Sequence, residues 1–482
     1  MFDLIIRNAN CVSARETFRA DIGVRDGRIA ELGRIAGTAP QEIDSGGRYV
    51  LPGGVDSHVH VDQRKAHGRI NADDFASGSR SAACGGTTTM IPFAPQYRGQ
   101  TLRWVAEDYH TRAKRSVIDY NFHLIVTDPA EPDFDRDLAE AARSGLRSLK
   151  VFTTYAAVGI GDSELLATFA AARKHGFLIM VHCENSAMIG QVTRALLQQG
   201  KTHAKYHLAS RPTIAEAEAA FRITAMAEMH NVPVMIVHVS SERTLEVIGL
   251  AKRRGTTIFV ETCTQYLTLE QNRIDVPGPD AAKWVFSPPI RDAANREAIW
   301  KGVLSGDIDV LSSDHAPYML DENGKFPEGF GSSFDKIASG VPGIEVRMPV
   351  LFTECVSSGR MDLPAFVRLT ATNAARIYGI DARKGDIAVG LDADLCIWDD
   401  GYDRVVTNDI MHHQVDFTPY EGYRVRAWPA VTISRGEVIA RYHAYTGGAD
   451  RGRFIPAEQT QVRQEVTEAQ AELAAFGATL SV

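Results

Sequence analysis

Two histidines one residue apart, His58-Val59-His60, close an apolar run that begins at about Leu51. Along a β-strand, side chains at i and i+2 leave the same face, so both imidazoles can meet one metal ion. Later hydrophobic runs end in Lys150, His182, His238 and Asp314. Histidine nitrogens and a carboxylate form a borderline-hard donor set that suits Zn²⁺, ahead of Mn²⁺, Co²⁺ or Fe²⁺. A lone histidine after a strand reads as a hydrogen-bonded structural residue; four at equivalent strand ends read as ligands. Lysine is the odd member, because an ammonium has no lone pair to offer a metal. An amine at Lys150 that adds CO₂ becomes a carbamate, an anionic two-oxygen group able to bridge two cations. Taken alone, Lys150 is an ordinary lysine, and only its company favours the carbamate.

For these six side chains to converge, strand ends must lie side by side. Strand-like runs over 87–93, 119–126, 146–152, 177–182, 232–238, 257–261 and 308–312 join the run ending at His60 to make eight. Helix-period segments intervene: 73–84 ends at Gly85-Gly86, 163–175 at Gly176 and 241–254 at Gly255. Such glycines fit the left-handed conformation that closes a helix. Eight strand-then-helix units predict an α/β fold, a TIM-like (β/α)₈ barrel whose site lies where strands end and loops begin. The first 50 residues read instead as short strands (2–7, 21–24, 28–32) around the Arg25-Asp26-Gly27 turn. Strand grammar returns near Tyr378, with 386–390 leading to 393–398, then 430–434 and 437–441 flanking Arg435-Gly436. The expected organisation is a smaller β-sandwich domain from both chain ends (1–50 and 378–450) and a metal-dependent barrel over 51–377. The tail, 451–482, forms helix over 465–475 and reads as an oligomer contact or a loosely packed end.

Composition narrows the class. The chain's 482 residues hold two or three domains by length, and 44% hydrophobic with 23% charged residues is ordinary for a soluble protein. A net charge of −8 leaves no basic field for nucleic acid. No apolar stretch reaches the roughly 18 residues of a membrane span, and no signal-like segment is read at the N-terminus. Six scattered cysteines suit reduced thiols in a cytoplasm.

Several segments form an ordered series: Leu51-Pro52-Gly53-Gly54-Val55-Asp56-Ser57-His58-Val59-His60, the helix from Asp73-Asp74-Phe75 to Gly85-Gly86-Thr87-Thr88, and Lys150 with Tyr155. Val181-His182-Cys183-Glu184-Asn185, Ser210-Arg211-Pro212, His238-Val239-Ser240, Gln265-Tyr266-Leu267, Ser287-Pro288-Pro289 and Ser313-Asp314-His315-Ala316-Pro317 continue it, to Gly390-Leu391-Asp392-Ala393-Asp394-Leu395. From about residue 1 to 445 the chain resembles the cyclic amidohydrolases of the dihydropyrimidinase and hydantoinase group. The resemblance implies hydrolytic opening of a cyclic amide, imide or ureide by an activated water between two divalent metal ions. It implies that His58, His60 and Asp314 hold one ion, His182 and His238 the other, and a CO₂-derived carbamate on Lys150 bridges them. Asp314 would shuttle the proton, Tyr155 would donate to the developing oxyanion, and Ser287 and Ser339 would bind the ring amide through their backbone. Dimers or tetramers are the implied assemblies.

Two places depart from the family pattern. The family commonly carries Asn-Gly where this chain has Ser339-Gly340. Relatives often place apolar residues in the loop after His60, whereas here it reads Asp62-Gln63-Arg64-Lys65-Ala66-His67. That loop is either a solvated charged segment or a substrate loop in which Gln63, Arg64 and Lys65 face a polar ring substituent. Dihydroorotase and allantoinase are the alternative activities. The former expects an arginine where Asp62 stands, although Arg64 is near. A non-catalytic scaffold of the same family would lack the ligands that this chain retains.

Overall fold

The computed structural model describes residues 1–63, 71–462 and 466–480. The eight predicted runs form one parallel sheet curled into a nearly closed barrel. In chain order its strands are Gly54–Val59, Thr87–Pro95, Asp119–Tyr120 with His123–Ile125, Ser148–Phe152, Leu178–His182, Val234–Ile236, Ile258–Cys263 and Val310–Ser312. They are covered on both faces, which is why they read as continuous apolar runs rather than alternating ones. The third run, expected to be unbroken, is interrupted at Asn121-Phe122. There the Asn121 amide donates sideways to the Gly145 and Ile455 carbonyls at 3.0 and 2.6 Å. The predicted helices stand as Phe75–Cys84, Asp162–His175 and Glu242–Arg253. Asp74 caps the first by accepting from the Ser77 N–H, and Gly176 ends the second at φ 72°.

The circle closes between the first and last strands. Val59 bridges His315 in parallel register, and the His60 N–H donates to the His315 carbonyl at 2.7 Å. Toward the strand starts, the buried Arg347 guanidinium crosses the same seam. It donates to the Leu311 and Val55 carbonyls at 2.9 and 3.3 Å and to the Thr87 hydroxyl at 3.2 Å, and it lies 3.5 Å from Asp56. One side chain therefore ties the first, second and last strands.

Strands from both chain ends make a second, mixed sheet. Leu395–Asp399 runs antiparallel to Tyr49–Pro52, with Cys396 opposite Leu51, and Tyr49–Pro52 runs parallel to Leu4–Val12. Two-residue hairpins turn at Asp26-Gly27 (φ 53° and 75°) and at Arg435-Gly436 (φ 46° and 75°). Positive φ at both positions matches the twist of the flanking strands. The expected run over 386–390 is not a strand. Gly390 takes φ 98° and the chain turns there, its N–H donating to the Ile29 carbonyl at 2.8 Å. The tail lies on its own barrel: the Ile455 N–H meets the Tyr120 carbonyl at 2.8 Å and the Ala457 N–H meets Gly145 at 2.9 Å. Thr467 caps the helix Glu468–Ala475 and donates to the Glu228 carbonyl at 2.8 Å. Among the described residues no helix is long and apolar enough to cross a membrane.

The seam makes a stability prediction. Arg347→Met would leave the buried Asp56 carboxylate without its cation, and breaking such a pair costs about 3–5 kcal/mol. The urea midpoint should fall accordingly; an unchanged midpoint would remove Arg347 from barrel closure.

Candidate active site

The i, i+2 geometry holds at the end of the first strand. Val59 points into the packing between barrel and helices, and His58 and His60 turn to the barrel mouth. Both rings lie against Phe93, at centroid distances of 4.7 and 4.9 Å. Their Nε2 atoms converge on Asp314 Oδ1 at 3.2 and 3.4 Å. Asp314 follows the last strand by two residues and holds φ 48°, a left-handed conformation that turns its carboxylate back over the barrel. For a residue with a Cβ this is strain of order 1–3 kcal/mol, which the packing around it must offset. Burial opposes ionisation of Asp314, but attraction and hydrogen bonds from His58 and His60 hold its carboxyl well below the usual range.

The other nitrogens of these rings are spoken for. His58 Nδ1 meets Glu261 Oε1 at 2.6 Å, and His60 Nδ1 meets Gln63 Oε1 at 3.0 Å. Gln63 is itself anchored by its amide to the Phe93 carbonyl at 2.8 Å. Such outer partners fix ring orientation and leave Nε2 as the free donor.

His182 and His238, at the ends of adjacent strands, meet Nδ1 to Nε2 at 2.9 Å. His182 Nε2 pairs with Glu184 Oε2 at 2.7 Å, and Arg211 grips the same carboxylate oxygen. Burial would raise the pKa of the Glu184 carboxyl, but Arg211 and His182 pull it down to about 2. His238 sits two residues past its strand at φ 40°, and its Nδ1 has no hydrogen-bond partner. Lys150 occupies the middle of Ser148–Phe152, fully buried, with its Nζ also unpartnered. The Nζ lies 4.9 and 5.1 Å from the ring centres of Phe93 and Phe152. Burial pulls its pKa down to about 8.

His58, His60, Lys150, His182, His238 and Asp314 line one cavity of about 550 Å³, with Tyr155, Gln63, Ser287 and Ser339 on its walls. Tyr155, at φ 71° in the loop after Phe152, carries the Arg211 guanidinium 5.3 Å over its ring. Ser287 and Ser339 join through their hydroxyls at 3.2 Å. The structure thus gathers every described residue of the predicted site; Arg64 and Lys65 lie outside the described residues. Sequence reasoning assigned no role to Glu261, Glu184 or Arg211. Signals for two of them existed: Glu261 ends a strand run, and Glu184 stands at i+2 from His182.

The amidohydrolase family pattern matches residues 49–439. This chain belongs to the amidohydrolase family. Among its relatives, the D-hydantoinase of Ralstonia pickettii is 38% identical over 455 residues, covering 94% of this chain and 98% of that protein. The D-hydantoinase of Rhizobium radiobacter is 38% identical over 454 residues, covering 94% and 98%. A solved D-hydantoinase structure superposes with a TM-score of 0.92 at 38% identity, covering 95% of this chain and all of that one.

Amidohydrolases generally bind divalent metal ions, and the donors of this member fit one. His58, His60 and Asp314 each offer a ligand atom, all within 4.8 Å of one another. The unpartnered His238 Nδ1 and Lys150 Nζ are further buried polar atoms whose satisfaction the protein alone does not provide. Replacing Glu261 with Gln would disturb the His58 tautomer. Loss of an outer-shell partner typically weakens metal affinity about 10–100-fold. Metal retained after dialysis against graded chelator should drop by that factor, whereas unchanged retention would make Glu261 merely structural.

Proposed function

We propose that this chain is a hydrolase that opens a cyclic amide of the hydantoin or dihydropyrimidine type with two divalent metal ions, Zn²⁺ foremost. The observation that carries this reading is Lys150: a buried amine without a hydrogen-bond partner, placed where both the His58/His60/Asp314 cluster and the His182–His238 pair feel its charge. Addition of CO₂ to the neutral amine forms one N–C bond, releases a proton and leaves an anionic group with two oxygens for two cations. The hydantoinases that match nearly the whole chain support the substrate class. Six free, buried cysteines support a reducing, cytoplasmic setting.

In this reading His58, His60 and Asp314 would hold one ion, His182 and His238 would hold the second, and a carboxylated Lys150 would serve both. When bound, the ions make a water acidic and polarise the amide carbonyl. Asp314 receives the proton of the attacking water and returns it to the ring nitrogen as the C–N bond breaks. The Tyr155 hydroxyl donates to the carbonyl oxygen as charge develops there. Burial pushes its pKa up, with Arg211 opposing, so it stays protonated and able to donate. The backbone of Ser287 and Ser339 holds the ring amide on the facing wall.

The reading is tested with hydantoin, 5-substituted hydantoins, dihydrouracil, allantoin and dihydroorotate. Ring opening is expected for the first three, and failure with every cyclic amide would overturn it. Lys150→Ala should lose metal and turnover together, with a short-chain carboxylate plus metal restoring part of the rate. Two ions and a near-normal rate in that variant would exclude the carbamate. Tyr155→Phe should lower kcat about 10²–10³-fold, the usual worth of an oxyanion donor. An unchanged kcat on a good substrate would take Tyr155 out of the reaction.

A further inference from the structure

Lys325 is among the largest fully buried side chains of the molecule, yet it lies outside the cavity lining. Its ammonium donates to the carbonyls of Val285 at 2.7 Å and Ala338 at 2.9 Å, and to that of Gly340. An ammonium has three N–H donors, and three peptide oxygens take them. Leaving such a charge buried without these acceptors would be strongly unfavourable, so the ammonium and the carbonyls constrain one another.

The three carbonyls belong to two chain segments that are distant in sequence and adjacent at the cavity. One segment carries Phe286 and Ser287, the other Ala338, Ser339 and Gly340, and all five line the cavity. The segments also meet directly, the Gly340 N–H donating to the Val285 carbonyl at 3.0 Å and the Ser287 hydroxyl to Ser339 at 3.2 Å. A neighbouring anchor acts the same way. His207 Nε2 lies 2.9 Å from the Phe286 carbonyl, which can only accept, so this nitrogen carries the proton and donates. In a planar trans peptide, C=O and N–H point in opposite directions. Holding the Ala338 carbonyl therefore turns the Ser339 N–H away from Lys325, and holding the Phe286 carbonyl turns the Ser287 N–H away from His207. Gly340 fits this packing only without a side chain: at φ 144° a Cβ would sit 2.7 Å from the Ala316 methyl.

We propose that Lys325 is a positioning residue for substrate recognition, its buried ammonium clamping the Ser287 and Ser339 segments into the spacing that the ring amide requires. The proposal rests on the function argued above, in which these two backbones hold the ring. It assigns Lys325 an effect on substrate binding rather than on the water-activating groups, because the clamp touches neither the histidines nor Asp314.

Two measurements on the full-length, metal-loaded enzyme test it. Lys325→Met removes all three donors, and Lys325→Gln keeps a neutral amide that reaches part of the set. With hydantoin as substrate, Lys325→Met should raise KM about 10–100-fold, the usual result of misplacing a binding wall by a fraction of an ångström to an ångström. The kcat should stay within a few-fold, the metal content should be unchanged, and Lys325→Gln should fall between. Hydrogen–deuterium exchange of peptides covering 285–290 and 336–342 supplies a readout independent of turnover. These amides should be protected in the wild type and exchange about tenfold faster in the variants, with peptides around His58 and His182 unaffected. Should the wild type open no cyclic amide, the functional reading falls while exchange still decides the clamp. A melting temperature that drops with KM unchanged would reduce Lys325 to a stabilising residue and overturn the proposal. Fast exchange of these segments in the wild type would overturn it even if neither variant folded.

Discussion

A parallel barrel exposes no unpaired strand edge only if its first strand meets its last, and in this molecule that meeting also assembles the site. The His60 N–H donates to the His315 carbonyl, and Val59 bridges His315. Asp314 stands one residue before that bridge, and His58 and His60 flank Val59. A slip of one residue in this register would exchange inward and outward side chains. His58 and His60 would then face the helices and Val59 the mouth. The Arg347 guanidinium, crossing the same seam nearer the strand starts, restrains that register from below. Closure of the fold and convergence of the candidate ligands are the same geometric event.

Around that seam the governing constraint is that polar groups buried in a low dielectric need partners. Each candidate imidazole on the inner wall has its second nitrogen occupied or left for a ligand. Glu261 takes His58, Gln63 takes His60 and Glu184 takes His182. Glu184 is in turn held by Arg211, whose guanidinium lies over the Tyr155 ring, so one arginine connects the histidine pair to the loop tyrosine. Lys150 Nζ and His238 Nδ1, both buried without a hydrogen-bond partner, sit among these groups.

The wall opposite the ligands is built differently. Its polar atoms are mainly backbone, from segments that belong to no strand, and their positions depend on what lies behind them. Lys325 holds peptide carbonyls from behind the lining, His207 holds one from within it, and Ser287 stands beside Ser339. Ligands at strand ends inherit their precision from the sheet. Loops require side chains to supply it.

Much of this was legible in the residues alone. Apolar runs covered on both faces need no alternation, so eight of them, five with a His, Lys or Asp at or near the end, specify a parallel barrel and its functional end. The hairpins at Asp26-Gly27 and Arg435-Gly436 were equally local, since glycine supplies the positive φ that the turn demands. The break at Asn121 and the turn at Gly390 were not. Each depends on a partner from elsewhere in the chain, the Gly145 and Ile455 carbonyls in one case and Ile29 in the other. The same division separates the ligands from their supports. Residue type and strand-end position marked His58, His60, Lys150, His182, His238 and Asp314, because donor chemistry and period-two geometry are intrinsic to the chain. Arg211, Arg347 and Lys325 carry no such mark. A buried glutamate or lysine looks like any surface charge until the fold removes it from water, and only tertiary packing determines which oxygen or nitrogen it then meets.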